Sequence, residues 1–151
     1  MTTTETDAWR AHLLTESSAI HSALAALETI AVLGFKPEET GAPAFYVPQY
    51  AQRAGFTIIP VPVYYPHMVT ALGETAYQSL RDIPYPVDIV EIFRRPPDIP
   101  QHLDDIIAMR PKMVWMQLGI RHEQVAEALA RAGIDVVQDH CLLVELKKMG
   151  R

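Results

Sequence analysis

At 151 residues, 49% hydrophobic and 21% charged, the chain is sized for one soluble domain with a substantial core. Its net charge of −5 argues against a general nucleic-acid or acidic-membrane surface, although a small anionic ligand needs only a local basic patch. A single cysteine, Cys141, excludes an internal disulfide framework and a cysteine-pair metal site. No run nears the roughly 18 apolar residues that span a bilayer. The first ten residues carry Glu5 and Asp7 and no apolar stretch, unlike a secretory signal, so the cytoplasm is the expected compartment.

Residues 1–14 are polar and expected to be loosely held, with the folded domain over 15–151. A helix is predicted over about residues 17–26, where Ile20, Leu24 and Leu27 share one face and Thr15 and Ser17 are candidate caps. Thr29–Leu33 reads as the first strand, and its lack of alternation suits a central parallel strand covered on both faces. Gly34 and a polar, turn-rich segment follow. The next helix spans about residues 43–54 and is closed by Gly55. Pro48 fits it only within or just past the first turn and otherwise kinks it. The second strand covers residues 56–61, with Pro60 and Pro62 fraying its pairing. Residues 63–86 show no long helix, and Tyr77, Leu80 and Ile83 are expected to pin them to the core. Residues 87–93 form the third strand, whose imperfect alternation places it nearer a sheet edge. A helix beginning at Asp98 and Pro100 turns Leu103, Ile106 and Ile107 inward. Then come a strand (112–117), a helix (122–132) stopped by Gly133, a strand (134–137) and a last helix (141–148) with lysines in its final turn.

Strands alternating with helices predict an α/β fold: a Rossmann-like three-layer sandwich around a five-stranded, mainly parallel sheet of order 3-2-1-4-5. Such sheets bind ligands beyond the carboxyl ends of their strands. That rule gathers loops 34–44, 62–66, 93–97 and 117–121. Gly34 lets a ligand approach the backbone, and Lys36, Arg94, Arg95 and Arg121 supply positive charge. Helix starts near Pro43 and His122 offer free amides, and Phe35, Tyr64, Tyr65 and Phe93 suit a planar ring. A phosphate-bearing nucleotide fits the mixture. Plainer readings stay open at this point: a glycine that only turns the chain, an exposed arginine pair, aromatics of the core. No G-x-G-x-x-G follows the first strand, and the second ends in Pro62-Val63-Tyr64-Tyr65 without an acid, which disfavours NAD. No G-x-x-x-x-G-K-[ST] is present, which disfavours ATP hydrolysis.

Several segments occur in a telling order: Ile30-Ala31-Val32-Leu33-Gly34, Gly55-Phe56-Thr57-Ile58-Ile59-Pro60-Val61, Gly73 with Tyr77-Gln78-Ser79-Leu80-Arg81-Asp82-Ile83-Pro84, Val87-Asp88-Ile89-Val90-Glu91-Ile92-Phe93-Arg94, Val114-Trp115-Met116-Gln117-Leu118-Gly119, and Val137-Gln138-Asp139-His140-Cys141. Together they resemble the small stand-alone CoA-binding domain proteins, whose fold is similar to the CoA-binding domain of the succinyl-CoA synthetase α subunit. The resemblance implies coenzyme A, or an acyl-CoA, laid across the strand ends. Gly34, Phe35 and Lys36 would border the phosphates or adenosine. Pro62, Val63 and Tyr65 would flank the nucleotide. Ala44 at the helix start, Phe93 with Arg94 and Arg95, and Gln117-Leu118-Gly119 would complete the rim. Many members have Ser where this chain has Lys36, and Arg-Pro-Ser where it has Ala42-Pro43-Ala44. Those departures remove phosphate donors, of which Lys36 can replace one charge.

Signals for catalysis are poor. The six histidines show no metal-ligand spacing. Asp139-His140-Cys141 reads as a strand-to-helix junction with Asp139 as cap, and Cys141 as a small core residue. The catalytic histidine of succinyl-CoA synthetase belongs to a domain this chain lacks. The expectation is therefore a carrier, sensor or accessory module without its own catalytic centre. An enzyme acting on a nucleotide-linked substrate through Asp139, His140 or Arg121, or a regulatory subunit with a vestigial pocket, is the alternative. The partner is a small nucleotide rather than nucleic acid or membrane, and a homodimer or an enzyme partner is left open.

Overall fold

The computed structural model describes residues 7–151. Its strands in chain order are β1 (Thr29–Leu33), β2 (Thr57–Val61), β3 (Thr70–Ala71), β4 (Glu74–Thr75), β5 (Ile89–Ile92), β6 (Met113–Met116) and β7 (Asp135–Val137). Five of them form one parallel sheet in the order β2-β1-β5-β6-β7, and β3 and β4 make a separate antiparallel hairpin. The doubly wound 3-2-1-4-5 pattern is present when the β4 segment, outside the sheet, is counted in third place, and β7 then follows as a sixth member. The β4 segment lies beside β2, and the Tyr77 N–H just after it donates to the Pro60 carbonyl at 3.0 Å. The strand expected nearer an edge, β5, is instead central. It pairs with β1 (Ile30 opposite Ile89, Leu33 opposite Ile92) and with β6, and all four of its residues are buried. Its one charged residue, Glu91, gives the impression of alternation, yet Glu91 is buried too. A reciprocal clamp pins the β1–β5 register at its start: Asp88 Oδ2 accepts the Glu28 N–H at 2.8 Å, and Thr29 Oγ1 accepts the Asp88 N–H at 2.8 Å.

Pro60 sits within β2 without breaking the ladder. Gly34 and Phe35 donate to Val61, so Val61 faces β1, and the alternate residue Pro60 faces outward to Tyr77. The missing proline N–H therefore falls on the outer side, where a strand tolerates it. Pairing continues to Val61 opposite Leu33, and does not fray before the strand ends.

The helices are α1 (Ser17–Ala25), α2 (Pro43–Arg53), α3 (Leu103–Met109), α4 (Glu123–Arg131) and α5 (Leu142–Lys148). α1, α2 and α5 cover the sheet face carrying Ile30, Val32, Ile58, Ile89 and Trp115. α3 and α4 cover the face carrying Leu33, Ile59, Val90, Ile92 and Val114. These are the three layers of the sandwich, and each fully buried Leu or Ile contributes roughly 1.5–3 kcal/mol. Glu16 is the N-cap of α1 and makes no side-chain cap, so neither Thr15 nor Ser17 fills that role. Leu80 and Ile83 are buried against the core as expected, with Tyr77 packed beside them.

The expected looseness of the N-terminal segment divides in two. Residues 1–6 lie outside the described residues. Residues 7–14 are tied to the sheet edge: Leu13 bridges Val136, the Leu14 N–H donates to the Val136 carbonyl at 2.9 Å, and His12 Nδ1 lies 2.8 Å from Asp135 Oδ1. β7 is otherwise an open edge, and this segment supplies partners for its backbone.

Candidate functional site

The carboxyl ends of β1 and β5 meet at one tight crossing. The Phe93 N–H donates to the Leu33 carbonyl at 2.9 Å. Gly34 turns away with φ of +94°, and a Cβ there would lie 2.3 Å from the Phe93 carbonyl oxygen. Only glycine fits that contact and that dihedral. The need is thus first for two chains to pass, before any ligand approaches.

From this crossing the chain runs through Lys36 to a 3-10 turn, Glu38–Thr40, and enters α2 at Pro43. Pro48 lies inside α2, beyond its first turn. Having no N–H, it leaves the Ala44 carbonyl without its usual intrahelical donor. The Lys36 N–H supplies one, at 3.4 Å. An apparent helix defect therefore ties the β1–α2 loop to the helix start. Ala42 caps α2 without a side-chain hydrogen bond; Pro43 has no N–H and the Phe45 N–H donates to the Ala42 carbonyl at 2.9 Å, which leaves the Ala44 amide as the first-turn donor at the positive end of the helix dipole.

Beyond the strand ends lies a groove of about 370 Å³. The β1–α2 loop contributes Lys36 and Ala44, the end of β5 contributes Phe93, Arg94 and Arg95, and the end of β6 contributes Gln117, Leu118 and Gly119. Arg94 is its central charge. It is only 6% exposed, its Nε has no hydrogen-bond partner, and its guanidinium carbon lies 5.0 Å from the centroid of the Tyr64 ring. Among the described residues it makes no ion pair, whereas Arg95 is committed to Asp98 at 3.2 Å. A buried cation without a counter-ion is costly unless something else solvates it. Burial, and then the charge of Arg94, hold the His102 imidazole below its ordinary pKa.

Two further grooves lie on the other side of the β1–α2 loop. One of about 410 Å³ is lined by Pro37, Glu39, Tyr64, Tyr65, His67 and Met68. The other, about 390 Å³, shares Pro37, Glu39 and Met68 with it. A larger hollow of about 660 Å³ lies elsewhere, between the Leu80–Asp82 turn and α3. It is crossed by the Arg81–Asp105 ion pair at 2.6 Å and stands apart from the strand ends.

The fold thus brings together Lys36, Ala44, Phe93, Arg94, Arg95, Gln117, Leu118 and Gly119, with Gly34 beneath them and Tyr65 in the adjoining groove. Phe35 does not line the basic groove and lies at the base of the third one. That side chain is 1% exposed and packs edge-on to Phe45 at 5.9 Å. Pro62 is buried and Val63 half-buried, and neither lines these grooves. Arg121 pairs with Glu123 at 2.9 Å. The start of α4 is not a free anion site, because His122 Nδ1 accepts the Val125 N–H at 3.1 Å. The loop after β6 is instead shaped from behind. Asp139, at φ +58°, accepts the Gly119 N–H at 2.6 Å, and its own N–H donates to the Ile120 carbonyl at 3.1 Å. His140 Nδ1 lies 2.7 Å from the Gln138 carbonyl, so Asp139, His140 and Arg121 serve three separate local contacts.

Three residues stood outside the sequence reading of the site: Glu39 lay within the polar, turn-rich segment after Gly34, His67 counted only among the six histidines without metal-ligand spacing, and Glu91 belonged to the strand of imperfect alternation. Glu91 is fully buried, with neither carboxylate oxygen partnered, and burial pushes its pKa up to about 8. A lone acid within an aliphatic strand was the available signal. Among the described residues, no three His, Cys, Asp or Glu side chains group as metal ligands, and no helix is long and apolar enough to cross a membrane.

Residues 28–147 match the model of a family described as a CoA binding domain. An uncharacterized protein of Bacillus subtilis strain 168, YneT, is 34% identical over 117 residues, covering 76% of this chain and 82% of its own. A solved structure from Thermus thermophilus is 40% identical with a TM-score of 0.82, covering 89% of this chain and 99% of that one. A hypothetical protein from Pyrococcus horikoshii OT3, at 23% identity and a TM-score of 0.78 over 91% of this chain and 94% of its own, shares the fold.

Proposed function

The chain belongs to the CoA-binding domain family, and on that premise we propose that it binds coenzyme A or an acyl-CoA at the carboxyl ends of its strands, acting as a carrier, sensor or accessory module. The observation that carries this reading is Arg94: a nearly buried guanidinium, unpaired at Nε, lining a groove that also holds Lys36 and the uncapped start of α2. A diphosphate offers the acceptors these donors lack, and charge-assisted contacts to it are the strong kind. Coenzyme A, when bound, supplies a thiol as the point of acyl attachment. The protein's own groups orient it: Arg94 and Lys36 hold the diphosphate, Tyr64 and Tyr65 offer faces to the adenine ring, and Gln117, Leu118 and Gly119 form the far wall. Calorimetric titration with CoA tests the reading. Saturable binding is expected, and Arg94→Ala should weaken it by about tenfold or more, the worth of a hydrogen bond to a charged group. Absence of saturation at millimolar CoA would refute it.

One feature favours a vestigial regulatory pocket as the second reading. The Ala42-Pro43-Ala44 entry to α2 provides no side-chain donor for a phosphate. Native mass spectrometry of protein from its own cells separates the two: copurified CoA supports the first, and an empty heteromeric complex the second.

A further inference from the structure

The loop between β1 and α2 places a carboxylate beside the aromatic groove. Glu39 lies in the Glu38–Thr40 turn, which is fixed by Thr40 Oγ1 donating to the Pro37 carbonyl at 2.7 Å and accepting the Ala42 N–H at 3.2 Å. Its side chain is exposed, makes no ion pair among the described residues, and lines the groove with Tyr64 and Tyr65. That groove adjoins the basic one at two points. Lys36 and Pro37 are consecutive, and Arg94 of the basic groove stands over the Tyr64 ring. Among the described residues, Lys36 and Arg94 are the cations without a carboxylate partner along the path, Arg94 reaching over Tyr64, and Glu39 is the carboxylate that lines the aromatic groove.

A ligand with its diphosphate at Arg94 and its base between the tyrosines brings its ribose close to Glu39. Dinucleotide sites place an acid at that position because it accepts hydrogen bonds from free ribose hydroxyls, and phosphorylated ribose calls for an arginine instead. β2 here is followed by Pro62-Val63-Tyr64-Tyr65 and offers no acid; the carboxylate that lines the groove with Tyr64 and Tyr65 comes instead from the neighbouring loop, at Glu39. The cation count agrees. Lys36 and Arg94 match the two charges of a diphosphate, and Arg95, the remaining arginine lining the basic groove, is shared with Asp98 at 3.2 Å, which leaves a 3′-phosphate a contested cation rather than a free one.

We propose that Glu39 selects ligands whose ribose carries free hydroxyls, so that the site takes the dephospho form of coenzyme A at least as tightly as coenzyme A itself. The proposal rests on the CoA-type reading above. Calorimetric titration with CoA and dephospho-CoA, on the wild type and on Glu39→Lys, Glu39→Gln and Glu38→Gln, tests it. Wild type should bind dephospho-CoA as tightly or more tightly. Glu39→Lys should move the affinity ratio towards CoA by about fivefold, the upper range of an exposed charge contact. Glu39→Gln, which keeps the side chain's shape, should move it the same way by about twofold, and keeps the test open if the lysine variant folds poorly. Glu38→Gln should leave the ratio unchanged. A wild type that prefers CoA by tenfold or more, or Glu39 variants with an unaltered ratio, would overturn the selection while leaving CoA binding intact. Binding of neither ligand would overturn the CoA-type reading itself, and this proposal with it.

Discussion

Replacing Glu91 by Gln should flatten the pH dependence of stability. Glu91 lies opposite Val32 on one neighbouring strand and Trp115 on the other. It has no exposed surface and no hydrogen-bond partner, and burial raises its pKa from 4.5 to about 8. Ionising it inside an apolar face means taking a charge out of water without compensation. Between pH 4.5 and 8 the folded state keeps a proton that the unfolded state has released. Stability from this group is thus fully present below pH 4.5 and is lost as pH rises through 8. Each pH unit in that window costs about a factor of ten in the folding equilibrium, or about 3–5 kcal/mol across it. Glutamine keeps the shape and remains neutral. Urea midpoints measured for both proteins from pH 5 to pH 9 should start close together and diverge, with Glu91→Gln the more stable by a margin that widens towards pH 8. The histidines titrate in both proteins, so the difference isolates Glu91. Parallel midpoint curves would refute the reasoning.

Gly34→Ala should destabilise by about 3 kcal/mol or more, because its Cβ would lie 2.3 Å from the Phe93 carbonyl at a φ of +94°; thermal melting reads this directly. Arg94→Ala should raise the pKa of His102, since the arginine's charge, after burial, helps to hold it down, and a bound phosphate should raise it as well; proton NMR of the imidazole gives both values. Asp139→Ala should weaken CoA binding by releasing the Gly119 N–H, and Asp139→Asn, which keeps an acceptor and tolerates the left-handed conformation, should restore it. Equal affinities for these two variants would remove Asp139 from the positioning of that loop.

The strand and helix elements were legible because their apolar periodicity and their glycine stops agree. Thr29–Leu33 has the bounds expected, and α2 ends just before Gly55. The place of β5 was not legible, because one buried acid makes a fully covered strand look half-exposed. Nor was the β3–β4 hairpin. Its two-residue turn puts Leu72 at φ 52° and Gly73 at φ 76°, whereas the sequence signal for such a turn is Asn-Gly or Asp-Gly. The basic character of the site was legible from Lys36, Arg94 and Arg95 in the loops after β1 and β5. Which of those charges stay free was not: Arg95 and Arg121 find carboxylates two or three residues away, and Arg94 does not. The same limit hid the role of Phe35. An aromatic following a strand-end glycine can turn to the rim or into the core, and only the edge-on contact with Phe45 decides between them.

The central claim concerns place as much as ligand. Amide chemical-shift mapping of isotopically labelled protein during titration with CoA tests it most directly. The largest shifts are expected at Lys36, Arg94, Arg95, Leu118 and Gly119, with Tyr64 and Tyr65 following. Shifts confined to the hollow formed by Leu80, Ile83, Tyr85 and Met109 would contradict the account.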